Sequence, residues 1–380
     1  MTTTQTLDQD RARPPATGGA RASGPARPTA AVGPRKIRRT PAFGVDDWLS
    51  LGGAVVAAYA LVEVGYNHIF DFSGLFGFGI CWYLVFLAVY AGVVAAAHPR
   101  TMVVERLVSA TLYLVAAAVM FALGTTVVYI FTQGYHAYIH IGFFTHDMAG
   151  VSPTAPLTQG GILHAIIGTV IEVGIAVVVS VPLGIGTAVY MTEVGGRGSQ
   201  LVRTVVESMT ALPEILAGLF VYAMLIVGLG MPKSGLAVSI AMAVTMVPII
   251  ARAGEVALRV VPGGLREAAS ALGSNHWRTV VKVVLPSARA GLATATILAV
   301  ARGVGETAIP LITSGASSFK TLNPVGEPMN SLPLFIYTAY TTHEPAAITR
   351  GFGAASVLLA MVLALFVVIR LLVRHRGVQR

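Results

Sequence analysis

Apolar residues along this chain gather into long runs, with polar and charged residues confined to the stretches between them. Runs of roughly 20 apolar residues, wound as α-helices, cross a hydrocarbon layer about 30 Å thick. The pattern predicts an all-α polytopic membrane protein with eight spans, near 48–66, 75–97, 107–132, 162–191, 205–229, 235–251, 288–313 and 351–373. Pro213 and Pro248 interrupt the fifth and sixth spans, and Pro182, with Gly184 and Gly186, the fourth. Proline removes a backbone hydrogen bond and kinks a helix. At membrane depth that is tolerated where neighbouring helices or a water-filled path satisfy the freed carbonyls. The interruptions therefore suit a translocation path, and equally a purely structural kink.

Residues 1–42 break the pattern. Pro, Gly, Ala, Thr and Arg dominate there and aromatics are absent. Such a segment buries too little apolar surface to offset its ordering entropy, and it reads as a disordered basic tail. It lacks the apolar core of a cleaved secretory signal. Its role is read as a solvated cytoplasmic tail that fixes orientation. Arg35, Lys36, Arg38 and Arg39 also offer an electrostatic tether to anionic membrane lipid.

Charge placement sets the topology. Of the 26 Lys and Arg residues, only Lys233, Lys320 and Arg350 fall on one side, and Arg302 falls within a span. All the others lie in the tail, in the loops after spans two, four and six with their flanks, and at the C-terminus. Lys and Arg accumulate on the cytoplasmic side, so both chain ends are expected there. The outer loops, about 133–161 and 314–350, are long, do not read as folded domains, and are available to an extracytoplasmic partner.

Composition excludes several classes. The chain is 55% apolar and 11% charged, against about 25% charged in soluble domains. A net charge of +9 would suggest nucleic acid in a soluble protein; here it follows topology, and no nucleic-acid partner is expected. The single Cys81 lies in an apolar run, expected buried, and one cysteine allows no disulfide within the chain. None of the lysines, Lys36, Lys233, Lys282 and Lys320, follows a glycine, so the phosphate-cradling loop of an ATPase is missing. No catalytic residue and no cofactor are expected in this chain. His136, His140, His146 and Asp147 cluster in an outer loop, with His136 and His140 spaced i,i+4. A metal site needs more ligands, and the reading adopted is solvated histidines with no metal.

Two segments carry chemistry. The cytoplasmic loop at 262–286 reads as two short helices. The first starts after Pro262, runs through Glu267, Ala268, Ala269 and Ala271, and ends at Gly273, since glycine accepts the left-handed cap conformation. The second is expected to be capped by Ser274 and to stop before Pro286. Small residues on the first would let another protein's groove approach the backbone; an amphipathic helix on the membrane surface is the alternative. The other segment holds Arg302. A central Arg costs at least ~2.5–3.5 kcal/mol on insertion scales, so it should face the protein interior or water. Glu306, one helical turn on, would partly neutralise it. The guanidinium then either offers a planar fork to an oxyanion or forms a structural ion pair. Glu207 and Glu214 are placed near an interface or cavity because Pro213 breaks their helix. Glu172 receives no role, except as a proton relay in the alternative mechanism.

Glu267-Ala268-Ala269, Gly273 and Leu285-Pro286 resemble the EAA loop of ABC-importer permeases, which docks into a cleft of the ATP-binding subunit. Residues 301–308 (ARGVGETA), 327–337 (EPMNSLPLFIY) and 247–252 (VPIIAR) resemble the PstA-type permease of the phosphate-specific importer. The resemblance covers about 105–374, the last six spans, with the six-helix permease core set at 101–380. It omits the tail and the first two spans, which look like an extra N-terminal module at 43–100. Two further departures are Ala308-Ile309-Pro310, where the family has Ala-Pro directly, and the acid Glu172. The resemblance implies a type I permease in a prokaryotic plasma (inner) membrane that moves inorganic phosphate by alternating access. It implies a PstC-type sister permease, two PstB-type ATPase subunits that hold ATP and Mg, and a PstS-type phosphate-binding protein. It places Arg302, Glu306 and Arg252 on the substrate path, and Glu267, Ala268, Ala269, Gly273, Leu285 and Pro286 in ATPase coupling. Sulfate or molybdate import would use the same architecture. A proton-coupled secondary transporter would use Glu172 and Glu306, but the inverted repeats often seen in that class are not evident. A purely sensory protein would leave the coupling loop without a purpose.

Removing residues 1 to about 98 deletes two spans together and should leave the new N-terminus cytoplasmic. Uptake measured on the inserted, assembled truncation is expected to survive in part. Complete loss would place the N-terminal module in the pathway or its gating.

Overall fold

The computed structural model describes residues 45–69 and 74–375; the expected basic tail at 1–42 lies outside the described residues. Among the described residues the secondary structure is helical, apart from one isolated bridge between Gly315 and Met329. Packing divides the chain into two compact units, 1–115 and 116–380.

In the first unit, α1 (Val45–Val62) packs along α2 (Leu75–Ala97). Ala54 and Ala58 share a buried cluster with Phe86, Tyr90 and Val94. Small side chains let neighbouring helices approach closely where lipid supplies no hydrophobic drive between them. The Tyr83 hydroxyl donates to Thr111 Oγ1 at 2.9 Å, tying α2 to α3 (Arg100–Tyr138). Cys81 is exposed rather than buried. Only one stripe of α2 faces α1, and the remaining apolar surface suits lipid.

The second unit is built on α5 (Leu163–Val189), α8 (Gly235–Arg259) and α11 (Leu285–Val304). Ala176, Ala241, Met242, Met246, Ile250 and Ala299 fill the space between them. A Cβ at Gly184 would stand 2.6 Å from Ile250 Cβ, so only glycine permits the α5–α8 approach seen here. Among the described residues seven helices are long and apolar enough to cross a membrane, or eight spans if one bent pair counts as a single span.

That pair occupies the expected fifth span. α6 (Gly196–Thr210) and α7 (Glu214–Val221, extended by wide π turns to Gly228) meet at a bend of 102°. Pro213 causes the break: it cannot continue the i→i−4 ladder and stands as the N-terminal cap residue of α7. Pro182 and Pro248, by contrast, sit inside uninterrupted helices. The sixth span continues past 251 to Arg259. The seventh does not run to 313. α11 stops at Val304, Gly305 to Thr307 form a break, and α12 (Ala308–Thr313) follows. Pro310 is the third residue of α12, in the first turn, where the missing N–H has no helical partner to lose.

The loop at 262–286 differs from expectation in two details. Its first helix, α9 (Gly263–Ala271), ends at Gly273, whose φ of 76° is left-handed as expected. Ser274 does not cap the next helix. Its N–H closes α9 by donating to Ala269 O at 3.0 Å, and Asn275 Oδ1 caps α10 (His276–Thr279) by accepting from Arg278 N–H at 2.8 Å. Nor does the helix stop before Pro286. Wide π turns over 280–284 lead directly into α11, with Pro286 in its first turn.

The loops at 133–161, which include the short helix α4 (Gly142–Thr145), and at 314–331 form a folded layer. Met148 N–H donates to Ser318 O at 2.9 Å, and Ser317 N–H to Met329 O at 3.2 Å. After this layer come α13 (Leu332–Thr341) and α14 (Pro345–His375), which pack together.

Glu172 lies buried in α5, with neither carboxyl oxygen hydrogen-bonded among the described residues. Burying an unpartnered polar group costs about 1–3 kcal/mol in protein mutants. Glu172→Met should therefore raise stability by a similar ~1–3 kcal/mol and preserve uptake, checked by thermal unfolding and transport. Loss of uptake from a folded Glu172→Met chain would give this acid a proton-carrying role.

Candidate functional site

Arg302 lies in the last turn of α11, and Glu214 is the first residue of α7. The guanidinium is bound to the Glu214 carboxylate through Nε and a terminal nitrogen. Each charge matches its helix end: a C-terminus favours a cation and an N-terminus an anion. The Arg302 side chain nevertheless remains 59% exposed, so the fork is available from one side. The expected pairing with Glu306 does not occur among the described contacts. The i,i+4 geometry fails because α11 stops between the two residues. Glu306, 9% exposed, instead accepts from Ala308 N–H at 3.0 Å, and its carboxyl group lies beside that of Glu214. Two helix breaks, at 211–213 and 305–307, thus bring one cation and two acids together.

Arg252 takes part in a different group. It reaches Glu207 at 3.0 Å and Glu255 at 3.5 Å. Glu255, 3% exposed, also binds Arg203 at 2.6 Å and Arg259 at 2.7 Å. One buried carboxylate therefore joins α6 to the last turns of α8. Sequence reasoning missed Glu255; its position between Arg252 and Arg259, at i−3 and i+4, was the available signal. It also missed Glu214 as the partner of Arg302, although Pro-Glu after a helix break is a helix-start signature.

The coupling-loop residues form a third region. Arg266 donates to Glu193 Oε1 at 2.8 Å, Val261 O at 2.9 Å and Leu258 O at 3.2 Å, which fixes α9 to the ends of α5 and α8. Ala269 faces inward while Glu267, Ala268 and Gly273 are exposed. Leu285 packs against the cluster of Val280, Val284 and Leu292, and Pro286 is exposed beside it. Leu272 is 89% exposed and Trp277 59%, and Leu265 and Val281 are exposed too, so the loop carries an uncovered apolar surface. Among the described residues no group of three His, Cys, Asp or Glu side chains converges as a metal site.

The family model of the binding-protein-dependent transport system inner membrane component matches residues 180–376. The phosphate transport system permease protein PstA 1 of Mycobacterium tuberculosis H37Rv is 42% identical over 234 residues, 61% of this chain and 75% of that protein. PstA of Haemophilus influenzae is 33% identical over 60% of this chain and 82% of its own length. An inward-facing structure of the MetNI methionine ABC transporter covers 57% of this chain and 94% of that one, at 23% identity and a TM-score of 0.45. The family model and the sequence relatives carry the assignment: the chain belongs to the binding-protein-dependent inner membrane permeases, within their PstA-type group.

Proposed function

We infer that this chain is the membrane permease subunit of an ATP-driven ABC importer that carries inorganic phosphate into the cytoplasm. The observation that carries the ATP-driven reading is the loop at 262–286. It presents Glu267, Ala268, Leu272, Gly273 and Trp277 at its surface, while Arg266 anchors its base to α5 and α8. A protein surface that exposes large apolar side chains beside a rigidly held backbone suits a docking partner. The phosphate assignment follows the relatives, whose names describe phosphate transport permeases.

In this reading a separate ATPase, with its own ATP and Mg, grips the loop. Two PstB-type copies, a PstC-type sister permease and a PstS-type binding protein complete the assembly. In this reading both chain ends lie in the cytoplasm, which the Lys and Arg distribution supports. Closure of the ATPases would push α9. Arg266 would pass the displacement to α5 and α8, and Glu255 would carry it to α6. The α6–α7 bend then delivers it to Glu214.

Arg302 is the proposed oxyanion ligand. Its planar fork matches phosphate oxygens, and Glu214 is the counter-ion it leaves when phosphate arrives and regains when phosphate departs. Glu306 would hold Glu214 in place, and Arg252, half-exposed toward the cytoplasmic end of α8, would meet the anion on exit. A transport site must release as well as bind, and a carboxylate competing for the same guanidinium provides that.

Two measurements test this. Gly273→Asp introduces a side chain at a left-handed φ of 76°, where open space surrounds the Cβ, so strain and bulk fall on the docking surface rather than the core. The chain should reach the membrane, but ATPase co-purification and phosphate uptake should both fall; normal values for both would sink the docking role. For Arg302, the side chain is 59% exposed, so a water-lined path would solvate Glu214 when its partner is removed. Arg302→Gln should therefore assemble normally yet lose uptake, and Arg302→Lys should recover little, since an ammonium cannot reproduce the fork. The double change Arg302→Gln with Glu214→Gln should stay inactive; wild-type uptake from it would reduce Arg302 to a counter-ion.

A further inference from the structure

A cavity of about 260 Å³ opens between the two outer loops and the first turns of α14. Three buried polar side chains line its floor: His164 at 4%, Asn330 at 6% and Arg350 at 1% exposed. Each keeps an unsatisfied atom among the described residues, namely both ring nitrogens of His164, Asn330 Oδ1 and Arg350 Nε. Native interiors leave few buried polar atoms unpaired, so four around one cavity call for a polar occupant.

Arg350 decides its charge. The two terminal nitrogens donate to the carbonyls of Pro153 at 3.4 Å, Ala155 at 2.8 Å, Pro156 at 2.7 Å and Gln159 at 3.0 Å. These bonds clamp the outer loop onto α14 but supply no negative charge. No carboxylate pairs with this guanidinium among the described residues. A buried charge without a counter-ion is costly, and an imidazole beside it offers at least one further N–H. Asp147 is the acid acting on His164. Its oxygens are taken by Lys320 N–H at 2.9 Å and Ala149 N–H at 3.2 Å, and the first of these chiefly holds its carboxyl below the usual range.

Asn330 decides the occupant's chemistry. Its amide nitrogen donates to Ser317 O at 3.0 Å, which leaves Oδ1 as the unpartnered acceptor of a residue that lines the cavity. A site with two donors and one acceptor suits an oxyanion that still carries a proton. Phosphate does so at neutral pH and sulfate does not. At the mouth, Ala316 holds a φ of 50°, a left-handed strain for a residue with a side chain.

We propose that this cavity is a second phosphate station, at the outer entrance of the permease, separate from Arg302. Its place on the import path rests on the phosphate-importer reading and on the orientation inferred above; binding itself rests only on the cavity. The test uses the full chain in lipid nanodiscs with ¹³Cε1-labelled histidine, titrated with inorganic phosphate. One histidine resonance, identified by its loss in His164→Phe, should shift saturably. The shift should persist in Arg302→Gln, and Asn330→Leu, which spares the Arg350 clamp, should weaken it by roughly tenfold or more. Sulfate should need a higher concentration. Absence of the shift in the folded chain, an equal shift with sodium chloride at the same ionic strength, equal affinity for sulfate, or loss of the shift in Arg302→Gln would each overturn the proposal. Normal transport by Arg302→Gln with the His164 shift intact would instead strike the Arg302 role and leave this station standing.

Discussion

A guanidinium placed among membrane-spanning helices must find its partners inside the protein, because the hydrocarbon layer offers none. The architecture of the second unit follows from how Arg302 meets that demand. Its carboxylate comes from Glu214, on a helix far away in sequence. Bringing them together needs α11 to end near Arg302 and α7 to begin at Glu214. Both endings coincide with residues that stop helices, Pro213 on one side and Gly305 on the other. Two continuous spans would have carried these charges past one another. The breaks also leave helix-terminal amides and carbonyls near the charges, where backbone dipoles reinforce the pair.

Polar density of another kind holds the end of the unit that carries α9. Glu255 and Glu193 anchor arginines from α6, α8 and α9, so the loop at 262–286 stands on an electrostatic base rather than on hydrophobic packing alone. Such a base suits a surface that must bear load from a partner while keeping its own apolar residues, Leu272 and Trp277, uncovered. The middle of the unit is the reverse. There Ala, Gly and Met bring α5, α8 and α11 close together with almost no charge. Rigid polar ends around a smooth, small-residue waist let α5, α8 and α11 shift against one another with few polar contacts to break between them.

Hydropathy runs made the spanning helices readable, because a helix of set length is nearly the only way to bury such runs in lipid. Arg302 stood out for the same reason: charge at that depth is costly. Its partner was not readable, since pairing between distant helices leaves no periodic trace in one sequence. Glu306 looked the better candidate only while the helix was taken as continuous to 313. The 102° bend was hinted at by Pro213, but Pro182 and Pro248 carry the same signal and lie in uninterrupted helices. Proline marks a lost hydrogen bond; whether the chain turns there depends on packing. The coupling loop was visible through its resemblance to a family motif, whereas the Arg350 clamp and the cavity beside it depend on loops whose folding no periodicity describes.

The convergence of three arginines on Glu255 has a bearing on mutational tolerance. Arg203, Arg252 and Arg259 each reach the same carboxylate, so loss of any one leaves two to neutralise it. Loss of the carboxylate leaves three cations facing one another with no shared partner. As neutralisers of Glu255 the three arginines back one another up, whereas among the described residues Arg203 and Arg259 have no second acid and only Arg252 keeps one, Glu207, so drift is tolerated less at the carboxylate than on the basic side.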